Sequence, residues 1–287
     1  MRPNNLKTRI FLDGGDPNET KQIIKLLGFL DGQTTNPTLI SKNPQAIQRL
    51  EKGEKFTREE ILNFYKKVVQ EISVIIPEGS VSIEVPADKN TLGQQMLQMG
   101  KEMFGWISNA HIKYPSIKEG LKAAAESVKL GIRVNMTLCF TQEQAAAVYA
   151  ATRPFSDVFV SPFIGRLDDL GENGMDLNKN ILKMYQGGDH HVSVLTASVR
   201  NMDHFLFALS MGSDIITAPY QILKQWAGEG LQIPGDDFVY DSNNLKSIPY
   251  QELDLNKKWQ EFNIIHGLTD LGVERFSSDW NNLIKLP

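Results

Sequence analysis

A single cysteine, Cys139, is present in the 287 residues, so no intrachain disulfide can hold the fold and a secreted disulfide scaffold is excluded. Cys139 stands between Leu138 and Phe140 in an apolar stretch and reads as a buried filler in preference to a nucleophile. No apolar run reaches the roughly 20 residues of a membrane span, and the opening MRPNNLKTRIF lacks the apolar segment of a secretory leader. A cytoplasmic location with no membrane partner is expected. The 30 basic and 34 acidic residues, net charge −4, are interspersed and leave no basic stripe to neutralise a nucleic-acid backbone. Nucleic acid is therefore not an expected partner. Histidines and cysteines form no metal-binding cluster. His190 and His191 in GGDHHV come nearest, but adjacent strand residues face opposite ways and the pair opens a strand, so a polar turn is the better reading.

What is present is a 41% hydrophobic chain with material for a sizeable core. Short strand-like runs alternate with longer helical patterns. Strands are expected near 8–13, 32–36, 81–85, 109–113, 131–137, 157–161, 191–197 and 213–217. Helices are expected over 17–30, 57–76, 90–107, 116–130, 141–152, 176–186, 201–211 and 219–227. No Gly-x-Gly-x-x-Gly turn follows the first strand, and eight strands suit closure better than an open doubly wound sheet. The fold class is thus α/β, a (β/α)8 TIM barrel over residues 1–230, with additional C-terminal helices over 231–287. In that extension, Pro234, Asp236 and Asp237 suggest a loop before helices near 250–261 and 269–285.

Strand parity then selects residues. In VSIEV, Val81, Ile83 and Val85 share one face, so Ser82 and Glu84 share the other. The same rule sets Asp13 against Ile10 and Leu12, sets Lys113 against Ala110 and Ile112, and pairs Asn135 with Thr137. Charges buried in apolar strands need mutual neutralisation or a chemical task. An internal ion-pair network is the plain alternative. One lysine, two carboxylates, hydroxyls and an amide suit amine catalysis. At the reference pKa of about 10.4 only roughly one lysine in 2,500 is neutral at pH 7, so such chemistry asks for a desolvated setting. His111 shares the parity of Lys113 but sits deeper and reads as a hydrogen-bonded core histidine. SPFIGR and TASVRN bring Ser161, Arg166, Ser198 and Arg200 to late barrel loops, where paired arginines suit a phosphate. Trp106, Trp226, Trp259 and Trp280 read as packing or interface residues.

FLDGGD, DGQTTNPTLI, SIEV, IKYPSIKEG, NMTLCFT, VSPFIGR and TASVRN, in this order over about residues 8–228, resemble the motifs of the transaldolase family. The resemblance implies a (β/α)8 barrel with Lys113 as the Schiff-base lysine and Asp13 as the acid/base for carbon–carbon cleavage. It implies that Glu84 and Thr137 position a water and shuttle protons. Asn36 and Asn135 would hold the dihydroxyacetone unit, Ser161 would contact substrate, and Arg166, Ser198 and Arg200 would hold the phosphate. The implied reaction moves dihydroxyacetone from sedoheptulose 7-phosphate to glyceraldehyde 3-phosphate in the pentose phosphate pathway, without metal or organic cofactor.

Tyr114 and Ser116-Ile117 depart from the family pattern and bear on acceptor preference, while Gly14-Gly15 is expected to loosen the loop carrying Asp13. Glu84 and the substrate-binding Phe163 resemble the transaldolase choices, whereas the related fructose-6-phosphate aldolases, which release free dihydroxyacetone, tend to carry glutamine and tyrosine. The ending HGLTDLGVERFSSDW resembles the short subfamily, whose terminal helix packs on the barrel or a neighbouring subunit, and implies a homo-oligomer such as a ring of five or a doubled ring. A non-catalytic phosphosugar-binding protein is the alternative of another class, and it would not need Lys113, Asp13, Glu84 and Thr137 together.

Overall fold

A computed structural model describes residues 2–154, 157–235, 238–242 and 244–285. Strands β1 (Arg9–Asp13), β2 (Gly32–Thr34), β3 (Ser80–Glu84), β4 (Ala110–Pro115), β5 (Val134–Cys139), β6 (Val158–Pro162), β7 (Val192–Thr196) and β8 (Ile215–Ala218) pair in parallel in sequence order. β8 pairs back onto β1 and closes the barrel. The helices are α1 (Pro17–Leu27), α2 (Pro37–Ser41), α3 (Pro44–Glu51), α4 (Arg58–Ile75), α5 (Gly93–Phe104), α6 (Lys118–Lys129), α7 (Gln142–Thr152), α8 (Ile164–Asp168), α9 (Gly174–Tyr185), α10 (Met202–Ser210), α11 (Tyr220–Gly228) and α12 (Gly267–Asn282). The α/β barrel expected from the alternation is present. The short α2, α3 and α8 were not expected. Two of these begin at Asn-Pro, where the Asn36 and Asn43 side chains each accept a first-turn N–H at 2.9 Å and proline presets φ.

Alternation sorts the strand residues as the parity argument requires. Outward Ile10 and Leu12 pack with Ile23, Phe205 and Trp226, while Ile83, Ile112 and Met136 enter the larger helix–sheet core. Inward, the lower barrel is filled by Phe11 edge-on to Phe159 at 6.1 Å and by His111 stacked on Phe159 at 4.0 Å. Gly32 is required here, because a Cβ would lie 2.5 Å from the Phe11 ring. His111 is a core histidine, bonded to Ser80 at 2.7 Å and Asp157 at 3.0 Å, with its pKa held down by burial. His191 contacts Thr152 at 3.1 Å and Asp189 through its two ring nitrogens. Cys139 is buried, and its thiol is pushed up to about 12 by desolvation.

The tail departs from expectation. Asp236 and Asp237 lie outside the described residues. Over 250–261 there is only a 3-10 turn, Trp259–Glu261, in place of a helix. The reason is a competing partner: the Gln142 amide accepts from the Gln251 N–H at 2.9 Å and donates to its carbonyl at 2.6 Å, holding the chain extended. Tyr250, Leu253, Leu255 and Trp259 pack against the core along this strap. The strap delivers α12, whose Val273, Phe276 and Trp280 join the same core. Gln144 fixes its arrival by donating to the Ile264 carbonyl at 3.0 Å and to Thr269 at 2.8 Å.

Candidate active site

Adjacent strands set the first contact. Glu84 on β3 is in register with Lys113 on β4, so parity sends both side chains inward together. Lys113 Nζ lies 3.1 Å from Glu84 Oε2 and donates to the Thr35 carbonyl at 3.1 Å, and both charged residues are only 3% exposed. The Nζ–Oε2 contact is an ion pair without hydrogen-bond angles, which leaves Glu84 Oε2 free of a hydrogen-bonded partner among the described residues. Burial raises the Glu84 pKa, and the charge of Lys113 opposes that rise. Tyr65, reaching in from α4, accepts the Glu84 N–H at 2.9 Å and bonds Thr35 Oγ1 at 2.6 Å. One buried phenol thus ties the two backbone segments that face the lysine. Nothing in the sequence pattern singled out Tyr65.

Asp13 ends β1 at the cavity floor, where Thr34 donates to its carboxylate at 2.7 Å and itself meets Thr217 at 2.6 Å. Burial raises the Asp13 pKa, with Lys113 and Thr34 working against it. Gly14-Gly15 does not loosen this loop. Buried Gln33 donates to the Gly14 carbonyl at 2.8 Å, buried Asn43 donates to that of Gly15 at 2.7 Å, and Gly15 has no room for a Cβ, which would lie 2.6 Å from the Leu39 carbonyl.

On β5, Asn135 faces Lys113 in register and is held at both ends of its amide, donating to Ser82 at 3.1 Å and accepting from Ser161 at 2.7 Å. Thr137, two residues on, has a buried Oγ1 with no hydrogen-bond partner among the described residues. A buried hydroxyl without a hydrogen-bond partner is costly in a finished core, and near the ion-paired Glu84 carboxylate it suits a site that awaits a ligand or water. Asn36 uses its Oδ1 to cap α2 and lines the cavity.

The phosphate-type residues form the opposite wall. Arg166 packs its guanidinium between the rings of Phe163 and Phe276, 5.1 and 5.3 Å from the centroids. Arg200 is exposed and paired with Asp169 at 2.8 Å. Ser198 is held in the left-handed region at φ 61°, and its carbonyl accepts the Gly165 N–H at 3.1 Å. His204 joins the two loops, with Nε2 2.7 Å from Asp168 while Nδ1 accepts the Arg200 N–H at 3.3 Å.

Asp13, Lys113, Asn36, Ser161, Phe163 and the two arginines, together with Ser198, line one cavity of about 290 Å³. Glu84, Asn135 and Thr137 stand behind its wall in the barrel interior. Lys42, Thr34, Thr217, Arg275 and Phe276 also line it and were not singled out from sequence. Thr34 and Thr217 are legible in retrospect from strand parity; Arg275 and Phe276 lie on α12, whose docking no local pattern reports. Tyr114 stays out of the cavity, bonding Ser127 at 2.9 Å behind β4. Among the described residues no group of three or more His, Cys, Asp or Glu side chains is placed to hold a metal ion. A buried amine beside carboxylates, with cations at the mouth, is equipped for imine chemistry on an anionic carbonyl compound.

Residues 10–286 match the family described as Transaldolase/Fructose-6-phosphate aldolase. A probable transaldolase of Dehalococcoides mccartyi is 34% identical over 277 residues, covering 96% of this chain and 100% of that protein. Another, from Leptospira biflexa, is 37% identical over 239 residues, 82% of this chain and 98% of that protein. A third, from Geobacter metallireducens, is 33% identical over 279 residues, 96% of this chain and all of that protein.

Proposed function

The chain belongs to the transaldolase/fructose-6-phosphate aldolase family, and on that premise we propose that it transfers a dihydroxyacetone unit between sugar phosphates through a Schiff base on Lys113. The observation that carries the proposal is the Lys113–Glu84 pair, a buried amine and a buried carboxylate 3.1 Å apart beside a cavity ringed by cations. Glu84, its pKa raised by burial, takes the ammonium proton and frees the amine to attack the ketose carbonyl. Thr137 and Glu84 hold the water formed when carbinolamine becomes protonated imine.

The imine then draws the electrons of the neighbouring carbon–carbon bond. Asp13 accepts the proton of the hydroxyl on the departing carbon, the bond breaks, and the aldehyde leaves while its electron pair enters the enamine. The three-carbon unit stays on Lys113, with Ser161 and Asn36 lining the cavity around its hydroxyls and Asn135 holding Ser161 from behind. In the second half, the enamine attacks the acceptor aldehyde and Asp13 returns the proton to the new alkoxide. Hydrolysis of the imine releases the product and regenerates the amine. With sedoheptulose 7-phosphate as donor and glyceraldehyde 3-phosphate as acceptor, the products are erythrose 4-phosphate and fructose 6-phosphate.

Transfer is favoured over release because Phe163 presents a hydrocarbon ring to the cavity, with no hydroxyl to aim water at the enamine. The test is acceptor dependence. Mixing sedoheptulose 7-phosphate with enzyme should yield fructose 6-phosphate only when glyceraldehyde 3-phosphate is added, and free dihydroxyacetone should stay at trace level. Stoichiometric free dihydroxyacetone would instead support the aldolase reading.

A further inference from the structure

Three arginines surround the cavity mouth. Arg166 follows β6, Arg200 follows β7, and Arg275 enters from α12, all lining the same space. We propose that Arg275 is a substrate-binding residue that completes a three-arginine clamp on the phosphate end of the sugar, an inference that rests on the transaldolase reading above.

Packing aims α12 at this task. Phe276, the next residue, lies under the Arg166 guanidinium at 5.3 Å and fixes the rotation of the helix. Gly272, one turn earlier, allows the close approach, since a Cβ there would sit 2.9 Å from Arg166 Nη1 and 2.6 Å from Leu138 Cδ2. The helix is latched from the other side by Thr38, which donates to Asp279.

Availability is the second argument. Arg200 already spends its guanidinium on Asp169 at 2.8 Å. Arg275 has only a 3.9 Å contact with Asp279, through the same oxygen that Thr38 uses, and makes no hydrogen bond to the described residues. Its side chain is 62% exposed and its donors are open to a ligand.

Charge is the third. After burial, Arg275 is the largest influence depressing the Arg166 pKa, and Arg200 adds to it. Like charges gathered around a void repel one another, and a phosphate monoester dianion relieves the repulsion while offering three oxygens to planar, forked donors.

The experiment compares the native protein with Arg275→Ala and Arg275→Lys. Steady-state transfer is measured with sedoheptulose 7-phosphate held saturating for each protein and either glyceraldehyde 3-phosphate or unphosphorylated glyceraldehyde as acceptor, and inorganic phosphate is titrated calorimetrically into each resting protein. Arg275→Ala should raise KM for the phosphorylated acceptor roughly tenfold with kcat within about twofold, and weaken phosphate binding by a similar factor. The preference for the phosphorylated acceptor, read as the ratio of kcat/KM for glyceraldehyde 3-phosphate to that for glyceraldehyde, should fall roughly tenfold, and Arg275→Lys should recover part of the loss. Equal effects on both acceptors, or none on either, would overturn the proposal. If the native protein transfers to neither acceptor, the transaldolase reading fails, and the phosphate titration still decides Arg275: weaker binding in Arg275→Ala supports the clamp and unchanged binding refutes it.

Discussion

Lys113 and Glu84 occupy paired positions on neighbouring strands, with Nζ and Oε2 3.1 Å apart in an interior that leaves each residue 3% exposed. A pair this buried is a poor source of stability, because desolvation offsets most of the Coulombic gain. Its position at the C-terminal end of the barrel strands, where active sites of this fold form, accords with the proton transfer proposed between the two groups.

Glu84→Gln keeps the shape of the side chain and removes its proton-accepting capacity. Imine formation should slow by about 10²- to 10⁴-fold, the range expected for one general acid/base. Rapid-quench reduction with borohydride, followed by intact mass, gives the rate of adduct growth. An unchanged rate would remove Glu84 from the proton path.

Asp13→Asn should separate the two halves of the reaction. The Schiff base with a ketose phosphate still forms, but bond cleavage stalls, so the trapped adduct has the mass of the whole sugar instead of a three-carbon unit. The same variant has a stability signature. Burial raises the native Asp13 pKa above its unfolded value, so the native protein loses stability as pH rises from the ordinary aspartate range through that raised value. Asp13→Asn should therefore melt higher than the native protein at pH 7, with the difference vanishing below the ordinary aspartate pKa. A melting difference independent of pH would contradict this assignment.

The acidic limb of the kcat/KM profile should follow from the same burial. Both Asp13 and Glu84 titrate above the usual carboxylate range because desolvation dominates their settings. Activity should fall on acidification at a pH above that range, and a limb centred near 4 would show that neither group limits the rate.

Legibility in the sequence depended on distance along the chain. Parity within a five- or six-residue strand was enough to turn Lys113, Glu84, Asp13, Asn135 and Thr137 inward, because apolar neighbours left them one direction to point. Tyr114 shows the same rule applied too late: one residue after Lys113, it had to face the helices, where its hydroxyl bonds Ser127. Arg275 and Phe276 were beyond such reasoning, since they meet Arg166 across more than a hundred residues and only the path of the strap decides which face of α12 arrives. That path hinges on side chains such as Gln142 and Gln144, whose partners in the tail no periodicity reveals.

Gly165 should be intolerant of a side chain. A Cβ would lie 2.3 Å from the Ser198 carbonyl and 2.4 Å from Arg200 Cγ, forcing the β6 and β7 loops apart. Gly165→Ala should cost about 1–3 kcal/mol in urea unfolding and raise KM for phosphorylated substrates. Wild-type stability together with wild-type KM would show that these loops are not held as described.

His204→Ala removes one partner of the Asp168 carboxylate, which keeps the Gly174 N–H at 2.9 Å, and the acceptor for the Arg200 N–H. A loss of about 1–2 kcal/mol is expected from the hydrogen bonds removed, and His204→Gln should restore part of it by supplying both a donor and an acceptor. Chemical denaturation of the two variants makes the comparison.

The measurement that reaches the central claim most directly is intact-protein mass spectrometry after borohydride trapping with fructose 6-phosphate, run on the native chain and on Lys113→Ala. The account predicts a reduced dihydroxyacetone adduct on the native protein, mapped by peptide digestion to Lys113, and none on the variant. A native protein that traps no adduct with any ketose phosphate, or one whose adduct persists in Lys113→Ala, would contradict it.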